Sequence, residues 1–147
     1  FLMLLPDDLI IKKNCSKSMI AVHKKFKASV MASMKVNKSD VSRWGIYNIK
    51  KKIDKNNFII NNVVEKPSIK ASPSNNAVIG RYILPKTIFS KLKSLKPGKS
   101  GEFHITDAIQ ALIDDDNQFI GHNFSGKYLD CGTMKGYIKS TMEISKQ

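Results

Sequence analysis

The chain has 147 residues, 41% hydrophobic and 25% charged, with eight Gly and five Pro, so disordered and collagenous classes are excluded and one real core is affordable. No apolar run approaches the ~20 residues of a membrane helix, and no spanning helix is expected. Lys plus Arg outnumber Asp plus Glu 25 to 12, a net charge of +13, which raises nucleic acid or anionic lipid as partners. Only Arg43 and Arg81 are arginines, however, whereas bidentate reading of phosphate and guanine favours Arg. The lysines run with Asn and Ile, as in Lys50, Lys51, Lys52, Lys55, Asn56 and Asn57, and read as solvated faces and loop edges. No nucleic-acid and no membrane partner is therefore expected. Cys15 and Cys131 belong to no C-x-x-C pair, so a reducing cytoplasm is expected, with neither a disulfide framework nor a zinc site.

In chain order, Phe1 to Leu5 is a continuous apolar run stopped by Pro6, the pattern of a buried parallel strand. It is too short and too poorly flanked for a signal peptide, and the chain reads as one that starts late, inside a core strand. Asp7 and Asp8 stand where that strand ends. Met19, Ile20, Val22, His23 and Phe26 recur at helical spacing with lysines opposite, which predicts a crossover helix over 16–27. An alternating strand over 28–36 and a short turn over 39–44 lead to a strand over 45–49. The lysine and asparagine run is a surface turn into a strand over 58–64, which Glu65, Lys66 and Pro67 terminate. A Ser, Pro and Asn cluster over 71–76 delivers a strand over 77–84 that contains Gly80. Pro85 opens a helix to about residue 95, and a Gly and Lys loop follows over 96–101. Thr106 is the expected N-cap, with Asp107 in the first turn, of a helix through Ile113. Strands over 118–124 and 127–129 and an amphipathic helix over 134–144 complete the chain. Helices alternating with strands predict an α/β architecture, a mixed, mostly parallel sheet flanked by helices, without internal repeat. Ligands in such sheets bind beyond the carboxyl ends of strands.

Chemistry is sparse but placed. Asp7 and Asp130 each follow a short apolar or aromatic stretch at a strand end, where two carboxylates can converge on one hard cation; acidic residues at strand ends are also ordinary turn formers. Glu65 and Lys66 set a carboxylate beside an ammonium at another strand end, able to accept from sugar hydroxyls and to neutralise a phosphate, or to form a plain surface pair. Gly45 and Gly80 allow close approach of a ligand, or a bulge. Gly98, Gly101 and Glu102 form no Walker loop, and no G-x-G-x-x-G occurs. His23, His104 and His122 lack metal-like or nucleophile-like spacing and read as packing or surface residues.

Six segments taken together are more specific. LLPDDLI (Leu4 to Ile10), WGIYNI (Trp44 to Ile49), VVEKP (Val63 to Pro67), PSNNAVIGRYIL (Pro73 to Leu84), GEFHITDAI (Gly101 to Ile109) and YLDCGTMKGY (Tyr128 to Tyr137) follow the order and approximate spacing of one family. The sequence closely resembles the bacterial UTP:glucose-1-phosphate uridylyltransferases, also called UDP-glucose pyrophosphorylases. The resemblance implies a nucleotide-diphospho-sugar transferase (glycosyltransferase-A-like, Rossmann-like) α/β fold, incomplete at the N-terminal side. It also implies an enzyme that makes UDP-glucose and pyrophosphate from UTP and glucose 1-phosphate with Mg²⁺. Carried over, Asp7 and Asp130 hold the metal, Gly45 and Glu65 contact the glucose, Lys66 contacts phosphate, and Val78 falls on a sugar-pocket position. Trp44 replaces the usual Tyr of its block and is expected to face away from the sugar, with little effect. The family's Gly-rich triphosphate loop and uracil-reading residues precede the LPD block and have no counterpart among residues 1–147. The chain is thus expected to be the carboxyl-side, sugar-phosphate and metal-binding part of one nucleotidyltransferase domain, weakly active alone, and a dimer or tetramer in a full-length form. The rival readings are a sister dTDP-glucose-type pyrophosphorylase, which the DCG block disfavours, a basic nucleic-acid-binding module, and a catalytically silent piece.

Overall fold

A computed structural model describes residues 1–96 and 103–146. Strand β1 (Leu2–Leu4) is followed by β2 (Asp8–Ile11), helix α1 (Cys15–Phe26), β3 (Ser29–Lys35), a 3-10 turn (Lys38–Arg43), β4 (Gly45–Lys52), β5 (Asn57–Glu65) and β6 (Asn76–Ile83). Helices α2 (Ile88–Ser94) and α3 (Ile105–Asp114), strands β7 (Phe119–Asn123) and β8 (Lys127–Asp130), and helix α4 (Met134–Ile144) complete the described chain. Six strands form one sheet in the order β1-β6-β3-β7-β5-β4, and β2 and β8 form a separate two-stranded ribbon.

The α/β architecture with a mixed, helix-flanked sheet is as expected, but the sheet is not mostly parallel. Among the described residues only β3 and β7 pair parallel; β1–β6, β3–β6, β4–β5, β5–β7 and β4–β6 are antiparallel. The error has a physical source. A continuous apolar run signals a strand covered on both faces, and the burial of Val30, Met31 and Ala32 in β3 comes from helices on both sides, whatever the strand direction. On one face α2 and α3 bring Ile88, Ala108, Ile109 and Leu112 onto Met31, Tyr47, Phe58, Tyr82 and Phe119. On the other, Cys15, Met19 and Val22 of α1 meet Val30, Ala32, Ile79 and Ile120.

Strand β1 also departs from the expectation of a buried parallel strand. It lies at the sheet edge, antiparallel to β6, with Leu4 48% exposed. The run Leu9, Ile10, Ile11, to which the sequence assigns no element, is β2, antiparallel to β8 with Asp8 opposite Asp130; a four-residue strand carries too short a pattern to register. Thr106 is not a cap: α3 starts two residues earlier than expected because Ile105 packs on the core, and His104 takes the N-cap position. Positions 97–101 of the loop expected over 96–101, and the first two residues of the block starting at Gly101, lie outside the described residues, so Gly98, Gly101 and Glu102 are not described.

Local chemistry explains the helix ends. The Asn14 side chain accepts from Lys17 N–H at the start of α1, and Lys27, left-handed at φ 51°, returns its N–H to His23 at the end. His122 on β7 is 7% exposed, its Nδ1 2.8 Å from Asn57 Oδ1 and its Nε2 3.0 Å from Ser18 Oγ, so it ties β7 to β5 and α1. Burial, opposed in part by the charge of Asp54, holds its pKa below the ordinary histidine value. A histidine depressed in the folded state binds its proton more readily when unfolded. Its contribution is therefore complete above about pH 6.5 and is lost as pH falls through that value toward the folded pKa. The melting temperature should decline from pH 7 to pH 5, and His122→Gln should flatten that decline; an unchanged slope would show the ring to be uninvolved.

Candidate functional site

Two clusters form at the end of the sheet where β1, β4 and β5 meet their loops. In the first, β4 and β5 pair with Gly45 opposite Glu65, and β4 touches the start of β6 through Ile46 and Ala77. These two ladders converge three of the expected residues. A Cβ placed on Gly45 would lie 3.0 Å from Glu65 Oε2, 3.2 Å from Val63 Cγ1 and 3.4 Å from Val78 Cγ2. Half-buried Gly45 thus sits where a carboxylate and two valines close in, and a side chain at 45 would push against all three. Lys66 follows with φ 43° and donates its N–H to Trp44 O at 3.0 Å. That left-handed turn breaks the strand alternation and lets Lys66 follow Glu65 to the surface, where both are exposed.

The second cluster depends on the β2–β8 ribbon. Cys131 N–H donates to Asp7 O at 2.8 Å, one step beyond the Asp8–Asp130 pair, so the two aspartate loops run side by side. Gly132 N–H donates to Asp130 Oδ1 at 2.9 Å. A Cβ on Gly132 would lie 2.7 Å from Asp7 Oδ2 and 3.4 Å from Asp130 Oδ1. Asp7 and Asp130 therefore share one small space, which a side chain at 132 would fill. Tyr128 reports the same concentration of charge: its hydroxyl pKa is pushed far up by burial, by its hydrogen bond to Asp8, and then by the charges of Asp8, Asp130 and Asp7.

Strand β6 joins the clusters. Val78 borders the first and Gly80 the second, two residues apart on one strand face and hence roughly 7 Å along it. Tyr82, two further on, has its hydroxyl pushed up by burial and then by the charges of Asp8 and Glu65. The structure thus brings together Asp7 with Asp130 and Gly45 with Glu65 and Val78, with Lys66 adjoining. Trp44 packs edge-on to Tyr128, ring centroids 5.6 Å apart, and into the clusters around Met19 and Val41. A cavity of about 490 Å³ reaches Asp130 from the α4 side, between Tyr128, Thr133 and Gly136. Asp8 and Tyr128 carry interactions at the site that sequence reasoning missed; the doubled Asp of LPDD was the available signal.

Two carboxylates around a glycine, beside a carboxylate-and-glycine pocket followed by a lysine, suit a phosphorylated sugar and a hard divalent cation. The model of one family, Nucleotidyl transferase, matches residues 1–147. The chain belongs to the nucleotidyl transferase family. Relatives of the chain include the UTP–glucose-1-phosphate uridylyltransferase of Pseudomonas aeruginosa, 35% identical over 144 residues, which cover 96% of this chain and 51% of the relative. That of Staphylococcus saprophyticus is 32% identical, over 99% of this chain and 50% of the relative. The crystal structure of an apo UDP-glucose pyrophosphorylase superposes with a TM-score of 0.92 at 36% identity, covering 99% of this chain and 54% of that one. One complexed with UDP-glucose gives 0.89, also at 36% identity, covering 100% and 57%. The chain spans about half the length of the relatives it matches.

Among the described residues no group of three or more His, Cys, Asp or Glu is placed to hold a metal ion. The Asp7–Asp130 pair still fits a hard cation, because Mg²⁺ is typically held by one or two carboxylates and completed by phosphate oxygens and water. Both carboxylates border the cradle over Gly132 that a Cβ would fill.

Proposed function

We propose that this chain is the carboxyl-side, sugar-phosphate- and metal-binding part of a UTP:glucose-1-phosphate uridylyltransferase. The observation that carries the reading is the convergence of Asp7 and Asp130 over Gly132, next to the Gly45, Glu65 and Val78 pocket on the same strand face. The reaction is in-line attack by a phosphate oxygen of glucose 1-phosphate on the α-phosphorus of UTP, which releases pyrophosphate. The nucleophile is anionic at neutral pH, so no side-chain base is needed and positioning dominates. Asp7 and Asp130 would hold Mg²⁺, which neutralises phosphate charge when bound. Glu65 accepts hydrogen bonds from glucose hydroxyls, Gly45 offers a backbone free of side chain, and Val78 walls the pocket. Lys66 binds the sugar phosphate and lowers the repulsion between the two anions. The nucleotide-binding loop belongs, in this reading, to the further length its relatives have. A cytoplasmic setting is supported by two free thiols, Cys15 and Cys131. The longer form is taken to be a homo-oligomer, as the resemblance implies.

Pyrophosphate release from UTP and glucose 1-phosphate tests the reading. The chain of 147 residues should release little, and a form as long as its relatives should turn over readily with Mg²⁺. Turnover with dTTP and not UTP would replace this reading by the sister activity. In the longer form Lys66→Ala should chiefly raise KM for glucose 1-phosphate, by about tenfold for a lost charge-assisted contact. Unchanged saturation kinetics would remove Lys66 from the site.

A further inference from the structure

Asp8 stands next to Asp7, yet its carboxylate is already committed. Oδ2 accepts Gly80 N–H at 2.5 Å, and Oδ1 accepts the Tyr128 hydroxyl at 2.5 Å. Asp8 therefore fastens β2 to β6 on one side and to β8 on the other. Gly80 permits this closeness, since any Cβ there would collide with Asp8 Oδ2 and lie 2.6 Å from Leu5. The Tyr128 ring is in turn held edge-on by Trp44, the residue that leads into β4 and Gly45.

The fastening matters because the ribbon is weak. Strands β2 and β8 have four residues each, and a two-stranded pair of that size is marginal by itself. Asp7 lies just outside the ladder, so its approach to Asp130 over Gly132 follows from the register that Asp8 sets. We propose that Tyr128 is a positioning residue: through Asp8 its hydroxyl holds β2 in the register that brings Asp7 to Asp130, and through Trp44 it ties that pair to the strand bearing Gly45. The inference rests on reading Asp7 and Asp130 as a divalent-cation pair. It adds that their spacing is set by a tyrosine that does not itself touch the cation. Hydrogen-bonded supports of this kind are worth about 10- to 100-fold in metal affinity.

The test is titration of the 147-residue chain with Mn²⁺, followed by the electron paramagnetic resonance of the free ion. Tyr128→Phe keeps the ring against Trp44 and removes only the hydroxyl. It should weaken Mn²⁺ binding about tenfold or more with unchanged circular dichroism, and Asp8→Asn should do the same. Leu112→Ala, on α3 in the core of the opposite sheet face, should lower the melting temperature and leave Mn²⁺ affinity alone. The inference is overturned if Tyr128→Phe binds within about twofold of the parent, or if Leu112→Ala weakens binding as much. A parent chain that binds no Mn²⁺ at millimolar concentration overturns the cation-pair reading, and this inference with it; that failure shows in the parent and so is distinct from a failure confined to Tyr128.

Discussion

Replacing Asp130 by Asn in a form as long as its relatives should lower turnover at least about 100-fold while leaving the fold intact, because metal-borne charge stabilisation is worth several kcal/mol and each 1.36 kcal/mol is tenfold in rate. The two halves of that expectation have different sources. The amide retains the oxygen that accepts Gly132 N–H at 2.9 Å, and the backbone carbonyl still accepts the Ser140 hydroxyl at 3.2 Å. The loop into α4 is therefore unchanged, and the melting temperature should be close to the parent's. What is lost is one of the two negative charges facing the space over Gly132. Near-normal pyrophosphate release at saturating Mg²⁺ would sink the assignment of Asp130.

The second large effect is on stability. Gly80 is buried; its N–H donates to Asp8 Oδ2 and its carbonyl accepts Leu5 N–H at 2.8 Å. Gly80→Ala sets a methyl group against both Asp8 and the Leu5 side chain. Overpacking costs about 1–3 kcal/mol and a weakened hydrogen bond to a charged acceptor about 1.5–3 kcal/mol. A combined loss of roughly 2–4 kcal/mol, partly relieved by movement of β2, should lower the melting temperature by roughly 5–15 °C. Because β2 carries the strain, Mn²⁺ binding should fall as well. A melting temperature within about 1 °C of the parent would mean that β2 does not dock as closely as Asp8 and Gly80 indicate.

Much of the local structure was legible in the residues. The period of Met19, Val22 and Phe26 predicted α1 to within a residue at each end, and the strand expected over 58–64 is β5 to the same precision. Glu65, Lys66 and Pro67 marked the strand end that carries the sugar-side cluster, and DCG marked the end of β8. Strand direction was not legible, because burial of both faces gives the same apolar run in parallel and antiparallel neighbours. Nor was β2, whose role rests on partners at Gly80 and Tyr128, 72 and 120 residues away.

By itself the sequence determined which side chains are available: two strand-end aspartates, a Glu-Lys pair before a proline, and glycines where a ligand or a strand must come close. Local spacing carries that information, since helix and strand periods and turn residues act over a few positions. Only the tertiary structure decided that Asp7 meets Asp130 and that Gly45 meets Glu65 and Val78. Those meetings follow from ladder registers between strands far apart in the chain, and register is set by the fit of whole faces and by contacts such as Asp8 to Tyr128, which no short window of sequence contains.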